Sequence, residues 1–327
     1  MNAFEFASPR SVAEALELLS QKGAVAHAGG VDLLDRLKED LEAPSRLVAL
    51  RQCPELSGSR EDKVKGLSLG ALTRLAELAE SPLVRKLYPA LAEAALHVAT
   101  PNVRNMATLG GNLAQRPRCW YYRNGLFTCR KRGGTTCFAQ DGENEHHAIF
   151  GNTTCAMVHP STLATALVAL GGSLTIQGKK GTREVALADF FIPPETDLLK
   201  ETVLVEGELI VALTLPPPAA NSRSAYLKQG AKESFDWPIA DVAVVLNLEG
   251  KKVTQARVIL GAAAPTPYRA AAAEAVLVGK EIDIAVAKAA GEASMKDARP
   301  LQHNRHKVEI FKVVVARAVL AAAGVTT

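Results

Sequence analysis

The 327-residue sequence lacks any apolar run near the roughly 18 residues that a bilayer span needs. Its first twenty residues carry Glu5, Glu14 and Glu17 against the single base Arg10. They show no basic and apolar leader and no twin arginine, so no secretory signal is predicted. Charge of one sign is also missing. The 38 basic and 34 acidic residues leave a net +4, too balanced for a chain that binds polyanions over its whole surface. Aromatics are sparse at 5%, while alanine is abundant, which favours helical layers packed through small side chains. There is no G-x-G-x-x-G, no Walker P-loop, no G-x-S-x-G elbow and no H-E-x-x-H. Dinucleotide binding of the Rossmann type, P-loop chemistry, serine hydrolysis on an elbow and zincin hydrolysis are therefore not indicated. What is present is an ordinary globular composition, 48% hydrophobic and 22% charged, long enough for about two domains.

Cysteine is scarce but unevenly placed. Cys53 stands alone before Pro54 and reads as an inert buried thiol, whereas Cys119, Cys129, Cys137 and Cys155 fall within 37 residues. An odd total argues against a disulfide framework. The spacing C-x9-C-x7-C-x17-C is neither a zinc ribbon nor a bacterial ferredoxin run. Between Arg116 and Arg132 lie six basic residues and no acidic one. Four thiolates around an iron–sulfur cluster leave a negative site that cations and backbone N–H groups stabilise, and nearby glycines allow tight wrapping. Structural zinc, with His146 or His147 as a further ligand, and two disulfides or free thiols are the competing readings. Trp120, Tyr121 and Tyr122 are bunched rather than interleaved with the bases, which speaks against nucleic-acid stacking.

Along the chain, Ser11 is placed to cap a helix over 11–20. A strand at 24–28, a helix at 32–41 and a strand at 46–50 complete a compact α/β unit. A strand pair or strand edge follows at 64–72, then helices at 73–80 and 89–99, the second stopped by Thr100-Pro101. Residues 115–159 show no periodicity, and a loop of that length is usually functional. A helix at 161–171 and strands at 173–177, 183–187 and 208–215 lead to the triple proline 216–218, a domain boundary. Strands at 224–230, 239–248 and 255–261 predict an antiparallel sheet, and the last 60 residues read as helical.

Two small-residue loops remain: Ala28-Gly29-Gly30-Val31-Asp32 and Thr108-Leu109-Gly110-Gly111-Asn112. Singly each reads as a tight turn. Jointly, beside the cysteine segment, they suit the two phosphates of a redox dinucleotide, since glycines expose N–H groups and helix starts favour anions. His27 reads as a strand-packing histidine with no chemistry of its own.

These two loops, with His159-Pro160-Ser161, Leu187-Ala188-Asp189-Phe190-Phe191, Glu208-Leu209-Ile210-Val211, Lys228 and the segment Gly261–Arg269, resemble the FAD-binding medium subunit of the molybdenum hydroxylases, the xanthine and carbon monoxide dehydrogenase family. The resemblance covers nearly the whole chain in family order. Within it, the four-cysteine branch that this sequence resembles is the FAD and [4Fe–4S] subunit of bacterial periplasmic aldehyde oxidoreductase.

The resemblance implies an α+β chain with an FAD-binding fold of two subdomains, 1–57 and 58–218. A cysteine-bearing insertion at 115–158 and a C-terminal domain at 222–327, with a small antiparallel sheet and helices, complete it. FAD would be held by Ala26, His27, Ala28, Gly29, Gly30, Val31, Asp32 and Leu33, completed by Thr108, Gly111 and Asn112. Thr162 would lie at the adenosine part, Leu187 would give a backbone contact, and Lys228 would lie near the flavin. Cys119, Cys129, Cys137 and Cys155 would ligate the cluster. Departures are Val31 where Thr or Ser is common, Thr162 where Asp is common and Lys232 where Arg is usual.

The implied partners are a molybdenum-cofactor large subunit and a [2Fe–2S] small subunit, with an external electron acceptor. No nucleic acid and no membrane span are expected. The compartment would be cytoplasmic, or periplasmic by export with a signal-bearing partner. No side-chain nucleophile or base is expected here. The rivals are a flavoprotein passing electrons inward, as in a 4-hydroxybenzoyl-CoA reductase-type enzyme, and a zinc-stabilised interaction or nucleic-acid-binding subunit.

Overall fold

The computed structural model describes residues 1–325. Three sheets follow one another along the chain. The first is parallel, in the order β1-β3-β2, with β1 at Glu5–Ala7, β2 at Ala24–His27 and β3 at Arg46–Ala49. The helix Val12–Leu19 between β1 and β2 is capped by Ser11, whose Oγ accepts from the Glu14 amide at 3.2 Å. Val12, Ala15, Leu16 and Leu19 are its buried stripe, the i, i+3, i+4, i+7 pattern of a surface helix. β1 was not expected. Three residues are too few to show a period, and its pairing comes entirely from β3.

The second sheet is antiparallel, in the order β4-β5-β8-β6-β7. Its strands are β4 Ser59–Asp62, β5 Gly66–Gly70, β6 Ser173–Gly178, β7 Gly181–Ala186 and β8 Leu209–Leu215. Between β5 and β6 the chain leaves for a helical layer. Three of its helices begin with proline, Pro82–Leu87, Pro89–Leu96 and Pro101–Met106. Ser81 and Thr100 cap two of them, accepting from the amides of Val84 and Val103 at 3.3 Å each. Pro101 thus starts a helix as well as following one, because its missing N–H costs nothing at the first helical position.

The third sheet is antiparallel, in the order β12-β11-β10-β9, with β9 Ser222–Gln229, β10 Ala240–Glu249, β11 Lys252–Gly261 and β12 Tyr268–Arg269. Alternate residues of this sheet enter different cores. Tyr226, Ala243 and Ile259 pack with the helices Pro89–Leu96 and Thr162–Ala169. Val242, Val244, Leu246, Val258 and Leu260 pack with the C-terminal helices Ala271–Leu277, Ile284–Ser294 and His306–Ala323. A sheet covered on both faces explains why β10 reads as a nearly unbroken apolar run.

Residues 115–158 contain only a short helix at Trp120–Arg123 and a 3-10 turn at Arg130–Arg132. Among the described residues no helix is long and apolar enough to cross a membrane.

Candidate functional site

Where β2 ends, the chain turns through Gly29 and Gly30 and enters the helix Leu33–Lys38. Gly30 adopts φ +73°, a left-handed conformation that glycine tolerates without strain. Gly29 faces the second loop so closely that an added Cβ would stand 2.0 Å from the Met106 carbonyl oxygen. The second loop carries its own cap: Thr108 Oγ1 accepts from the Gly111 amide at 3.3 Å and opens the short helix Leu109–Leu113. Asn112 Oδ1 accepts from Ser161 Oγ at 2.6 Å, which locks this loop to the start of the Thr162 helix.

The two loops, distant in sequence, form the wall of one cleft of about 430 Å³. Ala26, Ala28, Gly29, Gly30, Val31, Asp32 and Leu33 line it from one side, and Thr108, Gly111 and Asn112 from the other. Among the described residues, none of the amides of residues 29–33 donates to another group of the chain. A run of free N–H groups at a glycine turn leading into a helix is suited to anionic oxygens. The residues present therefore fit a pyrophosphate-bearing cofactor.

Four of the expected residues are not among those lining this cleft. The His27 ring packs edge-on against Phe6 at 6.2 Å, and burial with the nearby Arg51 holds its pKa below the ordinary value. Thr162 opens the Thr162–Ala169 helix and sits beside Tyr226. Leu187 is fully buried, and its amide already donates to the Gly172 carbonyl at 2.9 Å. Lys228 Nζ donates at 3.2 Å to the carbonyl of His97, the residue before Val98 on the cleft wall. Sequence reasoning missed Val98, Val103, Leu204, Ile210 and Trp237, which also line the cleft. The apolar four look like any core residue. Trp237, an exposed indole in a polar loop, was the one available signal.

Asp32 does more than line the cleft. Its carboxylate meets Arg123 at 2.7 Å, Arg118 at 2.9 Å and Arg36 at 3.0 Å, and accepts from the Arg116 amide at 3.0 Å. Burial alone would raise its pKa, but these partners outweigh burial and hold it below the usual carboxylate value. One acid thus fixes the first glycine loop to the start of the cysteine segment.

That segment closes on itself. Cys119, Cys129, Cys137 and Cys155 all line one small cavity, with Pro117, Arg130 and Lys131 among its other walls. Cys137 and Cys155 are neighbours whose thiols influence one another, Cys137 being held below the ordinary thiol value and Cys155 above it. Burial pushes Cys119 up to about 11. His147 Nε2 lies 3.3 Å from Cys119 Sγ, and burial lowers this histidine to about 4. Among the described residues no group of three or more His, Cys, Asp or Glu is placed to hold a single metal ion. Cys53 lies apart in the N-terminal core, its Sγ 3.5 Å from the Pro9 carbonyl.

The basic residues of the segment are engaged within the chain. Arg116 pairs with Glu201 at 2.8 Å, as does Lys131. Arg132 donates to the carbonyls of Asn124 and Phe127, and Arg130 to those of Thr135 and Thr154. At its far end the segment is held by the C-terminal domain. Asn304 Nδ2 donates to the carbonyls of His147 and Ala148 at 3.1 and 3.2 Å, and Lys307 Nζ to those of His147 and Ala262 at 3.0 and 2.6 Å.

Two family models match the chain: the FAD binding domain in molybdopterin dehydrogenase over residues 2–218, and the CO dehydrogenase flavoprotein C-terminal domain over residues 225–323. The chain belongs to the FAD-binding subunits of the molybdenum hydroxylases. It is 36% identical to the aldehyde oxidoreductase FAD-binding subunit PaoB of Escherichia coli (strain K12), covering 98% of this chain and 97% of the relative. It is 30% identical to the carbon monoxide dehydrogenase medium chain of Hydrogenophaga pseudoflava, covering 98% and 96%. The fold is similar to a solved structure of that carbon monoxide dehydrogenase, with a TM-score of 0.77, 30% identity and coverage of 99% and 98%. It is also similar to quinoline 2-oxidoreductase from Pseudomonas putida 86, with a TM-score of 0.76, 26% identity and the same coverage. The α+β architecture expected from the sequence is the family's, and the chain is an FAD-binding oxidoreductase subunit.

Proposed function

We propose that this chain is the FAD- and [4Fe–4S]-bearing electron-transfer subunit of a molybdenum-dependent aldehyde oxidoreductase. It would accept electrons from molybdenum and [2Fe–2S] partner subunits and pass them to an external acceptor. The observation that carries the reading is the convergence of four cysteines, spread over 37 residues, on one cavity that adjoins the glycine-lined cleft. Arg118 lines the cleft and Cys119 the cavity. Consecutive Cα atoms are only about 3.8 Å apart, so the two sites are neighbours.

A single zinc needs its sulfurs about 2.3 Å from one point, hence close to one another. Four thiols around a shared cavity, without a tight trio, suit a larger group. The engagement of Arg116, Arg118, Arg123, Lys131 and Arg132 inside the chain also leaves little free basic surface for nucleic acid.

FAD and an iron–sulfur cluster, when bound, supply the redox chemistry of such a subunit. The chain's own residues bind and position. The amides of 29–33, with Thr108, Gly111 and Asn112, hold the pyrophosphate. Val98, Val103, Leu204 and Ile210 give the apolar wall against which a flavin ring loses water. Cys119, Cys129, Cys137 and Cys155 ligate the cluster, with Arg130 and Lys131 at the cavity wall balancing its negative charge.

An anaerobic visible spectrum, with iron, sulfide, zinc and released flavin quantified, tests this. About four irons, four sulfides and one FAD per chain are expected. Zinc without flavin would overturn the reading. Replacing any one of the four cavity cysteines by serine should lower bound iron, whereas Cys53→Ser should leave iron and flavin unchanged. Full iron retention in all four cavity variants would remove the ligand assignment.

A further inference from the structure

We infer that His147 is a positioning residue of the cysteine site, and that its Nε2–H donates a hydrogen bond to the Cys119 sulfur and raises the reduction potential there. The inference rests on the cluster reading above and goes beyond it by naming a residue outside the ligand set.

The geometry is specific. Nε2 lies 3.3 Å from Cys119 Sγ, within the range of a hydrogen bond to sulfur. The ring cannot drift. Trp120 packs edge-on at 5.1 Å and Tyr121 lies against it at 6.1 Å, and the residue is 3% exposed. Its backbone is held from both sides: the amide donates to Asn144 at 3.0 Å, and the carbonyl accepts from Lys307 and Asn304. The C-terminal domain therefore sets where this imidazole points.

The tautomer follows from the partners. A neutral imidazole carries one N–H. His147 Nδ1 is buried and makes no hydrogen bond of good geometry; the Asn144 carbonyl near the ring already takes the His147 amide at 3.0 Å. A proton there would be a stranded buried donor, which proteins avoid more strongly than an under-used acceptor. A proton on Nε2 faces the sulfur, which as a metal-bound thiolate accepts it. Metal-ligand partners of this kind tune the metal, and hydrogen bonds to cluster sulfurs are one of the factors that set the potential. A donor stabilises the more negative, reduced state, so its removal lowers the potential.

The test uses the assembled complex, purified anaerobically, as wild type, His147→Phe and His147→Gln. Iron content is measured first, then the midpoint potential of the cluster by EPR-monitored titration. In parallel, wild type with nitrogen-15 only in histidine is reduced with dithionite and examined by pulsed EPR.

The expected result is near wild-type iron in H147F, a lower midpoint potential, and a partial return toward wild type in H147Q, whose amide N–H donates. The labelled wild type should show a histidine nitrogen coupling that labelled H147F lacks. An unchanged potential in H147F, or no such coupling in the labelled wild type, overturns the inference while leaving the cluster in place. If H147F fails to keep iron, labelled H147Q takes its place, and the histidine coupling of the wild type should be missing there. A wild type with no iron–sulfur signal overturns the cluster reading itself, and this inference with it.

Discussion

Asp32 faces three guanidinium groups and an amide with one carboxylate, 12% exposed. Arginine positions its fork well but cannot shed its charge. Asp32→Asn would leave Arg36, Arg118 and Arg123 crowded without a counter-charge. Breaking a buried pair by removing one partner costs about 3–5 kcal/mol, and the slight exposure here reduces that to about 2–4 kcal/mol. Thermal unfolding of D32N should show this loss, with flavin released more readily, because the same residue belongs to the first glycine loop. Two glycines offer a contrast on the same scale. Gly29→Ala would drive a Cβ to within 2.0 Å of the Met106 carbonyl, so backbone must move and bound flavin per chain should fall well below wild type. Gly125→Ala meets nothing within 4 Å and should change neither flavin nor stability by more than about 0.5 kcal/mol. Equal flavin content in the two variants would show that close contact of the loops is unimportant for binding.

At the scale of elements, the irregular cysteine segment keeps its shape because its neighbours supply the hydrogen bonds that secondary structure would have supplied. Asn304, fully buried, gives two to the carbonyls of His147 and Ala148 and accepts one from the Leu301 amide at 2.7 Å. Asn304→Leu strands the Leu301 amide, at about 1–3 kcal/mol for an unsatisfied group, and takes one donor from each carbonyl, leaving Lys307 on His147 and Asn152 on Ala148. Hydrogen exchange should rise in residues 144–152 and protease should cut the segment sooner, while the parallel N-terminal sheet stays protected. Unchanged exchange in 144–152 would mean that Lys307 alone suffices to dock it. The same contrast explains what could be read from sequence. The helix after Ser11, the strands at 24–27 and 46–49 and the buried β10 announce themselves through period and caps. Both glycine loops and the four clustered cysteines are visible as local composition. β1 is too short to carry a period, and the helix starts at Pro82 and Pro101 share their signal with helix stops. The role of Asp32 as a junction depends on bases 84 to 91 positions away. Leu204 and Ile210 reach the cleft only through the folding of the second sheet. Such partnerships are set by tertiary contact and leave no local mark.

On the scale of the whole molecule, two buried groups give opposite responses to acid. His159 is buried against Phe191, with Nε2 unpartnered, and burial lowers its pKa from 6.5 to about 3. Above pH 6.5 it is neutral in both the folded and unfolded chains and contributes no pH dependence. As pH falls from 6.5 toward 3, the unfolded chain takes up a proton that the folded chain refuses, so stability is lost. Asp241 is buried and accepts from the Tyr226 hydroxyl at 3.1 Å, and burial raises its pKa from 3.8 to about 6 despite that hydrogen bond. As pH falls from 6 toward 3.8 the folded chain protonates first, so stability is gained. At 1.36 kcal/mol per pKa unit the loss from His159 is about 5 kcal/mol and the gain from Asp241 about 3 kcal/mol. The histidine therefore wins, and Asp32, held below the usual carboxylate value, adds to the loss at the acid end. The apparent melting temperature should fall between pH 7 and pH 3, most of it below pH 4, where the His159 loss continues after the Asp241 gain is complete. His159→Leu should flatten that fall, and Asp241→Asn should steepen it by removing the compensating proton uptake. A slope left unchanged by H159L but abolished by D32N would move the acid sensitivity from the buried histidine to the junction between the cleft and the cysteine segment.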